Sequence, residues 1–234
     1  MGDQGGSKGL KIATSIADGR KGVFIVDDHP VLRQGLGALI DAQSDMRVCG
    51  EADSAPVAKT EVARCSPDVV IVDISLATGS GLELIKDLHY QHPGLPLLAL
   101  SMHREELYGP RAIAAGAKGY VCKSEPVTHV LVALRRLLQG QLAVSEKVLG
   151  LLVDRNSRKV PDPDSPALPL SDRELEIFRL CGEGRSTREI AARLRIAVST
   201  VFAHRANIKH KLKLANATEL VSAAARFVAV DDRA

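Results

Sequence analysis

Tryptophan is absent from the 234 residues, and only three Tyr and four Phe are present. A chain so poor in aromatic rings is badly equipped for the stacking platforms that grip single-stranded nucleic acid. Cysteine is also scarce: Cys49, Cys65, Cys122 and Cys181 form no CxxC pair and have no His at zinc-ligand spacing. That argues against a structural zinc site and leaves four small buried hydrophobes in a reducing compartment. No run of 18 apolar residues occurs, and the N-terminus lacks the apolar stretch of a signal peptide. The expectation is a soluble, cytoplasmic chain with no membrane span.

What is present divides into two halves. Residues 22–139 carry 11 Lys and Arg against 14 Asp and Glu, a net of −3; residues 171–227 carry 11 against 6, a net of +5. An acidic front and a basic back imply different partners, nucleic acid being the candidate for the second. Residues 1–21, rich in Gly, Ser and Lys, read as a flexible leader. The stretch 154–169, with four prolines, reads as a semi-extended linker too polar to fold. The expected division is therefore a leader over 1–21, a first domain over 22–140, a helix end and linker over 141–169, and a second domain over 170–230.

In the front half, "GVFIV", "MRVCGEA", "DVVIVD", "PLLALS" and "KGYVCK" read as five strands. Amphipathic stretches around 31–42, 54–65, 81–91, 104–115 and 126–139 read as helices. The alternation implies an α/β fold with a parallel sheet covered on both faces, and a ligand site at the carboxyl ends of the strands. At those ends stand Asp27 and Asp28, Asp73, Ser101 and Lys123. Three clustered carboxylates repel one another unless a cation lies between them, and oxygen donors suit Mg²⁺. Beside such an ion Asp73 is a candidate nucleophile for phosphoryl transfer, with Lys123 and Ser101 balancing the phosphoryl oxygens.

These motifs, "VDDHP", "VDISLATGSGLELI", "ALS" and "GYVCKS", make residues 22–139 resemble the receiver domain of bacterial two-component response regulators. The resemblance implies a five-stranded, doubly wound, flavodoxin-like domain. It also implies that Asp73 accepts phosphate from a sensor histidine kinase, that Asp27, Asp28, Asp73 and the Ser75 carbonyl hold Mg²⁺, and that Ser101 and Tyr120 form a coupled switch. Tyr120 as a plain core aromatic is the alternative. Three features depart from the pattern. Leu76-Ala77 replaces a frequent Met-Pro and is followed by Thr78-Gly79, which points to a looser loop. Gly109-Pro110 falls inside the fourth helix, which is expected to start late, kink or unwind. His29 follows the acidic pair, either as a helix-start residue or as a tuner of the pocket's charge.

The basic half carries three helix starts: Ser171 with Glu174, Ser186 with Glu189, and Asn216 with Glu219. Leu170 and Leu175 staple the first, and Gly182 and Gly184 end that helix. Helices at about 187–194 and 198–213, joined by a tight turn, outline a helix-turn-helix. The motifs "L-S-x-R-E-x-E", "E-G-x-S-x-x-E-I-A", "S-T-V-x-x-H" and "I-x-x-K-L" resemble the small all-α LuxR-type domain of the NarL/FixJ subfamily. By that likeness the helix at 198–213 enters the major groove of promoter DNA. "TELVSAAARF" pairs two copies, through Leu220, Val221 and Ala224, or serves packing only.

Val201, Ile208 and Leu212 make the inward stripe of the reading helix. Its outer face offers Ser199, Ala203, Ala206, Asn207 and His210, with Phe202 at its flank, so base contacts are expected to be partly apolar, and Thr200 and His204 join the candidate DNA-binding residues. Arg188, Arg205, Lys209, Lys211 and Lys213 are the candidate phosphate contacts. Ala197 stands where a capping Ser or Thr is usual. The leading expectation is a non-enzymatic, phosphorylation-gated transcription regulator, homodimeric when active. A regulator of the same family governed by dimerisation or a ligand is the alternative. An aspartate-dependent phosphatase is disfavoured because Ser75, not Asp, stands two residues after Asp73.

Overall fold

The computed structural model describes residues 19–157 and 168–231. The leader up to residue 18 and the Pro-rich stretch 158–167 lie outside the described residues. Five strands, β1 (Lys21–Val26), β2 (Met46–Ala52), β3 (Val69–Asp73), β4 (Leu97–Ser101) and β5 (Gly119–Cys122), pair in the order β2-β1-β3-β4-β5. Every pairing is parallel. Helices α1 (Pro30–Asp41) and α5 (Thr128–Leu138) cover one face; α2 (Ala55–Cys65), α3 (Gly81–Gln91) and α4 (Glu105–Ala115) cover the other. Alternate side chains of β1 serve the two layers, Phe24 and Val26 on one side and Val23 and Ile25 on the other. Burial on both faces is why the strands read as unbroken apolar runs. The strand order reverses beside β1, which places Asp27 and Asp73 at the crevice where such sheets bind ligands.

Residues 146–157 differ from expectation. The helix α6 (Glu146–Ser157) packs along α4, so the start of the anticipated linker is helical backbone. The contact explains Gly109: a β-carbon there would lie 2.8 Å from a Val148 methyl. A Lys147–Glu106 ion pair fastens the same helices. Helix α4 nonetheless begins at Glu105 and runs through Pro110 to Ala115, without the expected late start or unwinding. Burial of Tyr108, Gly109 and Pro110 under neighbouring elements outweighs the local cost of the ring.

The second domain comprises α7 (Asp172–Gly182), α8 (Thr187–Leu194), α9 (Val198–Lys211) and α10 (Ala217–Asp231). Ser171 and Ser186 each form a reciprocal capping box, with Glu174 and Glu189. Asn216 accepts from the Glu219 amide at 2.9 Å, while the Glu219 carboxylate takes the Ala215 amide. Ala197 caps α9 without a side-chain bond. Gly182 ends α7 and also admits α10, since a β-carbon there would meet the Ala224 carbonyl oxygen at 2.3 Å. All four cysteines are free, and burial pushes the Cys49 thiol up to about 11, leaving it unreactive.

The two domains are docked, and one apolar cluster runs between them. Asp172, at the start of α7, pairs with Lys86 of α3 at 2.6 Å and with Arg111 of α4 at 2.9 Å. Gly79 donates its amide to the Arg193 carbonyl in α8 at 3.2 Å. Gly79 has φ +88°, a left-handed conformation that favours glycine.

Candidate functional site

The ends of β1, β3, β4 and β5 deliver the parts of a pocket. Asp27 and Asp73 are almost fully buried, at 1% exposure each. Lys123, immediately after β5, donates to Asp27 Oδ2 and to Asp73 Oδ2, both at 2.7 Å. Burial raises the Asp73 carboxyl above the ordinary range; Lys123 opposes this and Asp27 adds to it. For Lys123, burial alone would lower the ammonium, yet Asp73 and Asp27 hold it above its usual value. Asp27, Asp28, His29 and Asp73 bring one ligand atom each to within 4.8 Å of one another. Three carboxylates against one ammonium leave a charge of −2, which a divalent cation balances. Asp28 Oδ1 is buried and accepts no hydrogen bond, its one polar neighbour being His29 Nδ1 at 3.1 Å, so it retains acceptor capacity that a bound cation would use.

The loop after Asp73 is tied down rather than loose. Ser75 donates its amide to Asp73 Oδ1 at 2.9 Å, Ala77 donates to Asp28 Oδ2 at 3.0 Å, and Leu76 is only 1% exposed. Gly81 is set by space: a β-carbon there would lie 2.0 Å from the Asp73 carbonyl oxygen. His29 caps α1 by position, donating its amide to Asp27 Oδ1 at 2.8 Å. Its Nδ1 also lies 3.1 Å from Asp28 Oδ1, so it faces the acidic pair as well.

Ser101 and Tyr120 meet through a residue that the sequence reading passed over. His103 donates its amide to Ser101 Oγ at 3.0 Å and accepts the Tyr120 hydroxyl on its carbonyl at 2.7 Å. Its ring, 2% exposed, touches Ser75 Oγ through Nε2 at 2.7 Å. Nδ1 lies 3.1 Å from Asp231 at the end of α10. A lone histidine two residues beyond a strand carries no motif. Only the buried carboxylate from the other domain marks it.

Comparison with known proteins decides the family. Residues 23–135 match the response regulator receiver domain, and residues 168–224 match the bacterial regulatory proteins of the luxR family. The oxygen regulatory protein NreC of Staphylococcus epidermidis is 35% identical over 205 residues, covering 85% of this chain and 94% of that protein. NreC of Staphylococcus haemolyticus is 35% identical over 214 residues, covering 89% and 99%. This chain is a DNA-binding response regulator of the NarL/LuxR family. RcsB of Salmonella enterica serovar Typhimurium, solved on promoter DNA with the phosphomimetic BeF₃⁻, matches with a TM-score of 0.64. It is 25% identical and covers 88% of this regulator and 98% of that chain. Another RcsB structure, from Salmonella typhimurium, has a TM-score of 0.68 and 25% identity, covering 88% and 98%.

In the regulator's second domain, Val201 and Ile208 are fully buried and Leu212 partly so, as the helical stripe requires. Arg188, Ser199, Phe202, Ala203 and Asn207 are exposed, so the reading face is open while the domains are docked. Thr200, His204, Arg205 and Lys209 are half-buried. Arg205 donates to Thr187 Oγ1 at 2.9 Å, and the exposed Lys211 pairs with Glu174 at 2.6 Å, so both also make contacts within the domain. The dimerisation set needs correction. Leu220 and Ala224 have no exposed surface, because they fill the core beneath α10. Val221, 41% exposed, is the member of that set on the outer face. Spacing alone did not show which side of α10 faces α7. No helix among the described residues is long and apolar enough to cross a membrane.

Proposed function

We propose that this regulator accepts a phosphoryl group on Asp73 from a sensor histidine kinase in the cytoplasm, and controls transcription through α9 bound to promoter DNA. The observation that carries the reading is the pocket itself: Asp73 buried beside Lys123, Asp27 and Asp28, with a surplus of negative charge and one unsatisfied carboxylate oxygen. Mg²⁺ held by Asp27, Asp28, Asp73 and the Ser75 carbonyl would neutralise the phosphoryl oxygens. A carboxylate oxygen of Asp73 attacks phosphorus, the P–N bond to the kinase's phosphohistidine breaks, and its electron pair leaves on the imidazole nitrogen. Lys123 then exchanges a carboxylate contact for a phosphoryl oxygen, and the Ser101 hydroxyl donates to another. Withdrawing Ser101 Oγ from the His103 amide loosens the segment on which Tyr120 closes.

For the output, Ser199, Thr200, Phe202, Ala203, His204 and Asn207 face the bases, while Arg188, Arg205, Lys209 and Lys211 hold phosphates. Val221 contributes to the contact between paired α10 helices in a homodimer. The RcsB structures with two dimers on two DNAs, and with a phosphomimetic on a promoter, support the reading of a dimer on promoter DNA. The test is incubation with a small phosphodonor and Mg²⁺, followed by intact mass and sizing. Wild type should gain one phosphoryl group and Asp73→Asn none. No gain in wild type would favour control by dimerisation or a ligand.

A further inference from the structure

Asp231 is the anomaly of the second domain. It is a carboxylate on the last turn of α10, yet only 2% exposed, and it lies against the first domain. Burial works to raise it, but His103 and the Arg104 amide outweigh that and hold it below the usual carboxylate range. Asp231 Oδ2 accepts no hydrogen bond of good geometry, but it lies 3.1 Å from His103 Nδ1, where its charge favours a proton on that nitrogen and leaves Nε2 to accept a hydrogen bond from the Ser75 hydroxyl. Ser75 in turn holds Asp73 Oδ1 through its amide. An unbroken chain of polar contacts thus runs Asp73–Ser75–His103–Asp231, from the phosphoacceptor to the final turn of the DNA-binding domain.

We propose that Asp231 is a positioning residue for phosphoryl acceptance, acting on Asp73 through His103 and the Ser75 hydroxyl. The inference rests on the reading that Asp73 is the acceptor. While Asp231 is seated, Ser75 is pinned, the loop over Asp73 stays closed, and both Asp73 oxygens are engaged by Lys123 and the Ser75 amide. Acceptance is therefore slow in the docked chain. Unseating Asp231 frees the imidazole, releases Ser75 and opens the loop. The coupling is reciprocal: whatever the α10 terminus does to the acceptor, the phosphorylated acceptor does to α10.

A double-mutant cycle on the full chain tests it, with Asp231→Asn, Ser75→Ala and the pair. The first readout is amide exchange at 74–80, which needs no phosphorylation. Asp231→Asn should speed exchange of the Ser75 amide by on the order of five-fold or more, and should add little once Ser75 is Ala. The second readout is the rate of phosphoryl gain from acetyl phosphate and Mg²⁺, which should rise by a similar factor with the same non-additivity. An unchanged Ser75 amide in Asp231→Asn overturns the relay, as does a full Asp231→Asn effect persisting in the Ser75→Ala background. Faster exchange in Asp231→Asn, with no phosphoryl gain even in wild type, upholds the relay and locates the failure in the acceptor reading. Circular dichroism verifies folding, and Asp231→Ala, which also removes the carboxylate, should repeat the exchange result.

Discussion

Replacing Asp172 by Asn removes the charge at the centre of the domain contact while keeping the side chain's shape. Asp172 is 20% exposed, and its carboxyl is depressed because Lys86 and Arg111 together outweigh burial. The Lys86 contact is with a half-exposed ammonium and is worth less than about 1 kcal/mol. Arg111 is 12% exposed, and losing its carboxylate partner there costs about 1.5–3 kcal/mol, softened by its remaining bond to the Leu168 carbonyl. A total of about 2–3 kcal/mol corresponds to a shift of roughly 30- to 150-fold toward the undocked form. The Gly79 amide reports this directly, because its acceptor, the Arg193 carbonyl, lies across the contact. Hydrogen exchange at Gly79 should accelerate by about that factor, while the buried amides within α7 keep their protection. Acceleration of less than about three-fold would mean that the apolar cluster alone holds the domains, refuting the assignment of Asp172 as the hub.

Burial in the domain contact pushes the Glu176 carboxyl up to about 7, against the pull of Arg173. A carboxyl raised on docking contributes most below its free value, and that contribution is lost as pH climbs through about 7. The scattering-derived radius of wild type should therefore grow relative to Glu176→Gln between pH 5 and 8; parallel curves would rule this out. Gly81→Ala drives a methyl into the Asp73 carbonyl oxygen and should cut phosphoryl gain at least ten-fold, with heparin retention of the DNA-binding domain unaffected. Lys209→Ala should lower the slope of log affinity against log salt by about one, measured by fluorescence anisotropy on a promoter duplex. An unchanged slope would remove Lys209 from the phosphate contacts.

The sheet was legible because each strand is buried on both faces, so its apolar run is continuous and its polar end abrupt. The capping residues Ser171, Ser186 and Asn216 marked three helix starts, since their bonds span only three residues. Long-range features were not legible. Helix α6 sits beside a Pro-rich stretch, and its reason for being helical, the notch at Gly109, lies in another element. Asp172 carries no local signal of its role, because its two cationic partners are distant in sequence. His103 and Asp231 have no local pattern, because their meeting exists only once the two domains dock.

The fastening of α6 onto α4 limits how far the reader can travel. Only residues 158–167 separate the end of α6 from the next described residue, so full extension spans at most about 40 Å. A released reader therefore remains within roughly one turn of duplex DNA of its own receiver. In the proposed phosphorylated dimer, two such readers would be confined to closely spaced half-sites, and on loss of the phosphoryl group each would already lie beside its berth.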